Sequence, residues 1–123
     1  MDEPQFEKIS EDERGANYRV ILPGNRELVL IFSKAGSNRG GHSHSVPEVA
    51  WLLSGKLEVH KMREAGEVRF VVNPGETYYN APGEPHYGHF LEDSWLLDWK
   101  LGAPADGFTT TNYEPFRKRV RPE

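Results

Sequence analysis

The 123-residue chain contains no cysteine. That absence removes disulfide scaffolds, thiolate zinc sites, iron–sulfur clusters and cysteine nucleophiles together, so any bound metal must be held by nitrogen and oxygen. A basic surplus is missing too: 15 Lys and Arg stand against 19 Asp and Glu, for a net charge of −4. A chain of this balance is poorly suited to gripping a phosphate backbone, and nucleic acid is not expected as a partner. Apolar runs such as Leu28–Phe32 and Trp95–Leu97 fall far short of the roughly 20 residues that cross a bilayer, so no membrane partner is expected either. The first fifteen residues, MDEPQFEKISEDERG, hold eight charged side chains where a secretory leader carries a basic start and an apolar stretch. With no Asn-x-Ser/Thr acceptor in the chain, the expected location is cytoplasmic.

Helical periodicity is likewise lacking, since no window of ten or more residues repeats its apolar positions every 3.6. Turn formers are abundant instead, with 12 glycines and 9 prolines. Leu22-Pro23-Gly24-Asn25, Asn73-Pro74-Gly75 and Ala81-Pro82-Gly83 each place Pro where φ is preset and Gly where φ must be positive. Ser54-Gly55 and Glu64-Ala65-Gly66-Glu67 read as hairpins. Between these breaks lie short segments rich in β-branched and aromatic residues: 18–22, 27–33, 42–44, 48–53, 56–62, 68–72, 77–80, 86–91 and 95–101. About nine strands at such spacing predict an all-β fold, a jelly-roll β-barrel with little or no helix. The barrel is expected over 18–101. Residues 1–17 should pack on or near it, and the Gly/Pro/Thr-rich then basic tail 102–123 should run over its outside or stay loose, its basic cluster 117–121 pairing with the acidic N-terminal segment.

The chemistry concentrates in Arg39-Gly40-Gly41-His42-Ser43-His44-Ser45-Val46-Pro47-Glu48. On a strand, residues i and i+2 project to one side, so His42 and His44 share a space. Pro47 marks an irregular or edge position that lets Glu48 turn back toward them, and the two glycines free the backbone just before. Farther on, the turn at Pro82-Gly83 returns through His86, which a β-barrel can bring alongside. Three imidazoles and a carboxylate suit one divalent transition metal, whether Fe, Mn, Ni, Co, Cu or Zn, with open positions for water or substrate.

These residues resemble the cupin superfamily. Gly36-x5-His42-x-His44-x3-Glu48-x6-Gly55 matches the first cupin motif at every spaced position, and Gly75 through His86 is similar to the second. Ala81 stands where the second motif usually begins its proline step, and Phe90 where it often ends in Asn. The resemblance implies metal ligands His42, His44, Glu48 and His86, a substrate pocket inside the barrel, and a homodimer of the kind many cupins form. Arg39 is a candidate anion contact. Tyr78 and Tyr79 lead toward His86, and one of them should face inward; Tyr79 is taken with His44 as a catalytic candidate. Phe90, in phase with His86, should line the pocket together with Arg39, Tyr78 and Tyr79. His60 and His89 fall on outward phases, and Trp51, Trp95 and Trp99 read as core or rim packing.

Three functions follow from this set. The first is a metal-dependent enzyme, dioxygenase-, lyase- or isomerase-like, acting on a small polar molecule. A narrower resemblance, carried by Asp12-Glu13-Arg14-Gly15 with Arg39-Gly40-Gly41-His42-Ser43-His44, points to the cupin ketoisomerases and epimerases of nucleotide-linked deoxysugars, in which paired histidines work as acid or base without a metal. The third is a non-catalytic small-molecule binding or sensor module.

Overall fold

The computed structural model describes residues 3–102 and 107–121. The elements follow in the order β1 (Gln5–Asp12), β2 (Gly15–Leu22), β3 (Arg26–Ser33), β4 (Asn38–His44), β5 (Glu48–Ser54), β6 (Leu57–Arg63), β7 (Gly66–Val72), β8 (Thr77–Asn80), β9 (His86–Phe90), β10 (Ser94–Lys100), β11 (Thr110–Asn112) and α1 (Glu114–Val120). The nine expected strands are β2 through β10. The expected count falls short by β1 and β11, and the tail carries a helix. β1 has no fully buried position, so it shows no apolar alternation, and its only strand partner among the described residues is β2. β11 is three exposed residues paired with β4. α1 buries only Phe116 and Val120, one i, i+4 pair, which is too little for a periodicity to register.

The strands form two sheets, ordered β1-β2-β3-β10-β5-β8 and β11-β4-β9-β6-β7, with every pairing antiparallel. Among the described residues no ladder joins the two sheets edge to edge, so the expected closed barrel is replaced by two facing sheets. Ala50, Leu52, Leu57, Val59, Val72, Phe90 and Leu96 fill the space between them at one end. Register decides which side chains enter that space, because directly opposed residues share a face. On β10, Leu96 points inward with Leu52 and Ile31 opposite it, while Trp95 and Trp99 point out. The tryptophans are therefore not core residues: Trp51 and Trp95 remain 40% and 36% exposed.

α1 lies across the outer side of the five-stranded sheet. Phe116 and Val120 pack with Tyr87, Met62 and Tyr113 into a second apolar cluster. His60 does face outward, as expected, but it is buried: its ring stacks on Tyr87 at 4.4 Å between centroids, with Glu58 2.7 Å from Nε2 and Glu67 3.1 Å from Nδ1. Arg119 of α1 then bonds Glu67 at 2.8 Å. The basic cluster is thus largely part of a docked helix, and among the described residues only Arg121 reaches the N-terminal segment, at Asp12. Phe116 is fully enclosed, so Phe116→Ala should destabilise the protein by about 3–5 kcal/mol, the range for removing a buried aromatic. Urea unfolding of the variant against the parent measures this.

Candidate metal centre

β4 is irregular where the chemistry begins. Gly40 and Gly41 have φ of 103° and 87°, values open to glycine at little cost. The β4–β9 register shifts across them, with Gly40 opposite Tyr87 and His42 opposite His86. Behind the bulge, α1 comes so close that a Cβ on Gly41 would stand 2.8 Å from Arg117 Cδ. Arg117 donates to the Gly40 carbonyl at 2.6 Å, and the Tyr113 amide donates to that of Gly41 at 2.9 Å. The helix therefore braces the strand that carries two of the candidate ligands.

Beyond the bulge the three imidazoles meet. Ring centroids lie 4.6 Å (His42–His44), 5.1 Å (His42–His86) and 5.5 Å (His44–His86) apart, and one nitrogen from each falls within 4.8 Å of the others. His86 Nδ1 is 3.0 Å from the Glu84 carbonyl oxygen. That oxygen can only accept, so Nδ1 carries the proton and Nε2 presents a lone pair. His44 Nδ1 is held at 3.0 Å by the Thr110 hydroxyl on β11. The loop before His86 is fixed by a buried cation: Lys61, 2% exposed, donates to Glu84 at 2.9 Å and to the Tyr79 carbonyl, while the Gly83 amide donates to the His44 carbonyl at 2.8 Å.

Glu48 stands beside the imidazoles, its oxygens 3.7 Å from Nε2 of both His44 and His86. It also accepts from Asn80 at 2.9 Å and from Lys100 at 2.5 Å. Burial pushes the Glu48 carboxyl up, but the Lys100 ammonium, His86 and the Asn80 amide outweigh it and hold it below its ordinary value. Asp98, one pleat from Lys100 on β10, lines the same cavity. Burial and then the Glu48 charge push it up to about 8 despite Lys100. Tyr78 is raised by burial, Glu48 and Asp98, and remains a neutral phenol.

The cavity measures about 330 Å³ and takes in His42, His44, Glu48 and His86 together with Arg39 and Phe90. Arg39 donates to Ser33 Oγ at 2.6 Å and to the Phe32 carbonyl at 3.1 Å. Burial and the neighbouring Arg14 hold its guanidinium below its ordinary value. Arg14 itself is clamped on Asp12 by contacts of 2.6 and 3.0 Å. Of the two tyrosines expected in the pocket, Tyr78 lines the cavity, while Tyr79, the catalytic candidate, points away and is 50% exposed. His89 takes no part and bonds Asn38 at 2.7 Å. Lys100, Asp98 and Asn80 escaped sequence reasoning. The signal was there in β10, where Asp98 and Lys100 alternate with Trp95, Leu97 and Trp99, but a tryptophan-rich strand reads most simply as having its aromatics inside.

The donor set fits a metal. Imidazole nitrogens grouped in this way are the donors that divalent transition metals take. Burial, followed by the mutual repulsion of the rings for His42 and opposed by Glu48 for His44, lowers both to about 4, and burial lowers His86 as well. The rings are therefore neutral near pH 7, the form that coordinates.

No protein-family model matches the sequence, and no curated protein does. Solved structures match the fold. Oxalate decarboxylase of Bacillus subtilis, in a study of its Mn(II) centres, is similar with a TM-score of 0.70 at 25% identity, over 88% of this chain and 30% of that one. The capsular polysaccharide assembling protein CapF of Staphylococcus aureus gives 0.71 at 18%, over 88% and 31%. Vicilin of hazelnut, Corylus avellana, gives 0.72 at 16%, over 87% and 34%. The chain spans about a third of the length of each. All three are cupins, and this chain shares their fold; its His42, His44 and His86 cluster fits a cupin metal site. Among the described residues no helix is long and apolar enough to cross a membrane.

The shift of Asp98 has a definite sign. Its folded value near 8 lies above the unfolded value near 4, so the acid favours the fold below about pH 4, and that contribution is lost as pH rises through 8. Asp98→Asn should accordingly raise the melting temperature of the metal-free protein at pH 8 and leave it nearly unchanged at pH 4, as thermal melts across that range will test.

Proposed function

We propose that the protein is a metal-dependent cupin enzyme acting on a small anionic molecule held between the two sheets. The convergence of three neutral imidazoles on one cavity carries this reading. His42, His44 and His86 would hold one divalent transition metal, with Glu48 as the fourth ligand. Bound there, the ion supplies Lewis acidity toward a substrate oxygen. The Mn(II) centres of the oxalate decarboxylase neighbour are in keeping with such a set.

The chain's own charges support an anionic substrate. Lys100 is paired with Glu48 and Arg14 with Asp12. Arg39 hydrogen-bonds only a hydroxyl and a carbonyl among the described residues, which leaves one half-buried positive charge for a carboxylate or phosphate. Asp98, protonated at neutral pH, can give a proton to the bound molecule or take it back. The buried Asn80 Oδ1, without a partner among the described residues, can accept from a substrate hydroxyl. Among dioxygenase-, lyase- and isomerase-like reactions, an acid so placed favours those that move a proton. A metal-free isomerase built on paired histidines needs one imidazole poised near neutrality, and His42 and His44 are driven well below it.

Elemental analysis of the purified protein should find about one equivalent of metal per chain, and chelation should lower the melting temperature by several degrees; less than about a tenth of an equivalent after reconstitution with Mn(II), Fe(II) or Zn(II) overturns the metal reading. Arg39→Ala should retain the ion and weaken binding of oxalate or lactate to the Mn(II)-loaded protein by about tenfold or more, as calorimetric titration reads. Turnover that survives in both His44→Ala and Asp98→Asn would assign the site to binding alone.

A further inference from the structure

The outer side of the five-stranded sheet holds a charge network that the candidate metal centre does not use. Register sends His60 of β6 outward, opposite Arg69 of β7 and Tyr87 of β9, while the next residue, Lys61, stands opposite His86 on the inner phase. Both ring nitrogens of His60 meet a carboxylate oxygen: Nε2 is 2.7 Å from Glu58 and Nδ1 is 3.1 Å from Glu67. The oxygens of an ionised carboxylate only accept, so both contacts are hydrogen bonds only when both nitrogens carry protons. The resulting imidazolium is 6% exposed and lies flat on the Tyr87 ring, a face that attracts a cation. Glu67 joins it to the C-terminal helix, because the same carboxylate oxygen takes Arg119 at 2.8 Å. Arg119, with His60 adding to it against the cost of burial, holds the Glu67 carboxyl below its ordinary value.

We propose that His60 is a proton-operated latch on α1: with the ring charged, Glu67 ties β6 to the helix, and with the ring neutral that tie breaks and the helix loosens from the sheet. The direction follows from the partners. Glu58 has no other hydrogen-bond donor among the described residues, so the one proton of a neutral ring stays on Nε2. The Nδ1 lone pair then faces the Glu67 oxygen and repels it. Glu67 must turn away, which leaves Arg119 with the Tyr87 hydroxyl at 3.4 Å. Docking is therefore tightest at low pH and weakens as His60 loses its proton; histidine is the side chain whose charge ordinarily changes between about pH 5 and 8. The groups facing the ring are Glu58 of its own strand, Glu67 and Arg69 of β7, Tyr87 of β9 and Arg119 of α1. His89, the other imidazole on this side, bonds Asn38 at 2.7 Å instead. Since α1 bonds the Gly40 and Gly41 carbonyls, the latch sets how firmly β4 is braced, and it does so whether or not the histidines on the inner side hold an ion.

The Tyr113 amide reports docking, because its acceptor is the Gly41 carbonyl across the contact, and the Arg117 and Arg121 amides report the helix itself. NMR of the purified protein between about pH 5 and 9 reads their hydrogen-exchange protection, corrected for intrinsic rates, beside the ring signals of His60 and His89. Protection at these three amides should fall about tenfold with rising pH, along the titration curve of the His60 ring. His60→Gln, which cannot titrate, should flatten that profile, and His89→Gln should leave it as in the parent. A His60 ring that does not titrate in this range, protection that stays within about twofold while it does, or a pH profile unchanged in His60→Gln overturns the proposal. If His60→Gln fails to fold, the parent still decides: protection that follows the His60 ring supports the latch, and protection that follows the His89 ring, or neither, overturns it.

Discussion

The close approach of α1 to Gly40 and Gly41 is the constraint on which the site rests. Both glycines take positive φ, and the bulge they form moves the β4 register just before His42, so that His42 faces His86 directly across the ladder. The same bare backbone admits Arg117 and Tyr113 of the C-terminal segment, which bond its carbonyls. A side chain at Gly41 would push the helix away and strain the strand in one step. The bend that aims the imidazoles and the seat that receives the helix are thus one piece of backbone, and the first turn of α1 braces the strand that carries His42 and His44.

Buried charge is used twice, with one logic. Lys61 and Glu84 form an enclosed pair that ties the Pro82–Gly83 turn down before His86; Lys100 and Glu48 form another on the cavity floor. Each ion costs several kcal/mol to take out of water, and its partner roughly returns that cost. What the pairs contribute is position. Glu84 also offers the carbonyl that sets the His86 tautomer, so the ion pair acts on the site through one residue's backbone and side chain together.

Much of this was legible in the sequence. Turn residues marked off nine strands because Pro and Gly act locally, and the His42, His44, Glu48 and His86 spacing carried across the fold because strand parity is strict. β1 was hidden by its exposure: an edge strand with two wet faces has no alternation to read. α1 was hidden because its apolar content is two residues and its seat lies on a strand some 75 positions away, where no local pattern records it. The cavity phenol came down to parity, and Tyr78 opposite Ala50 takes the inward phase that Tyr79 cannot. Asp98 and Lys100 were masked by the tryptophans of the same strand, Trp95 and Trp99, since burial of the large apolar residue is the sounder default. Here the face holding those tryptophans is the outer one.

The Lys100 contact with Glu48 bears on selectivity. Before any ion enters, the carboxylate already has a cation, and an incoming metal must either displace the ammonium or share the carboxylate with it. Hard ions such as Mg²⁺ and Ca²⁺ draw most of their affinity from carboxylate oxygens, and they meet a site whose only acidic ligand is already neutralised. Ions with an appetite for imidazole nitrogen lose far less by that competition. A lysine so placed would disfavour the hard cations at this site without touching any of the three histidines.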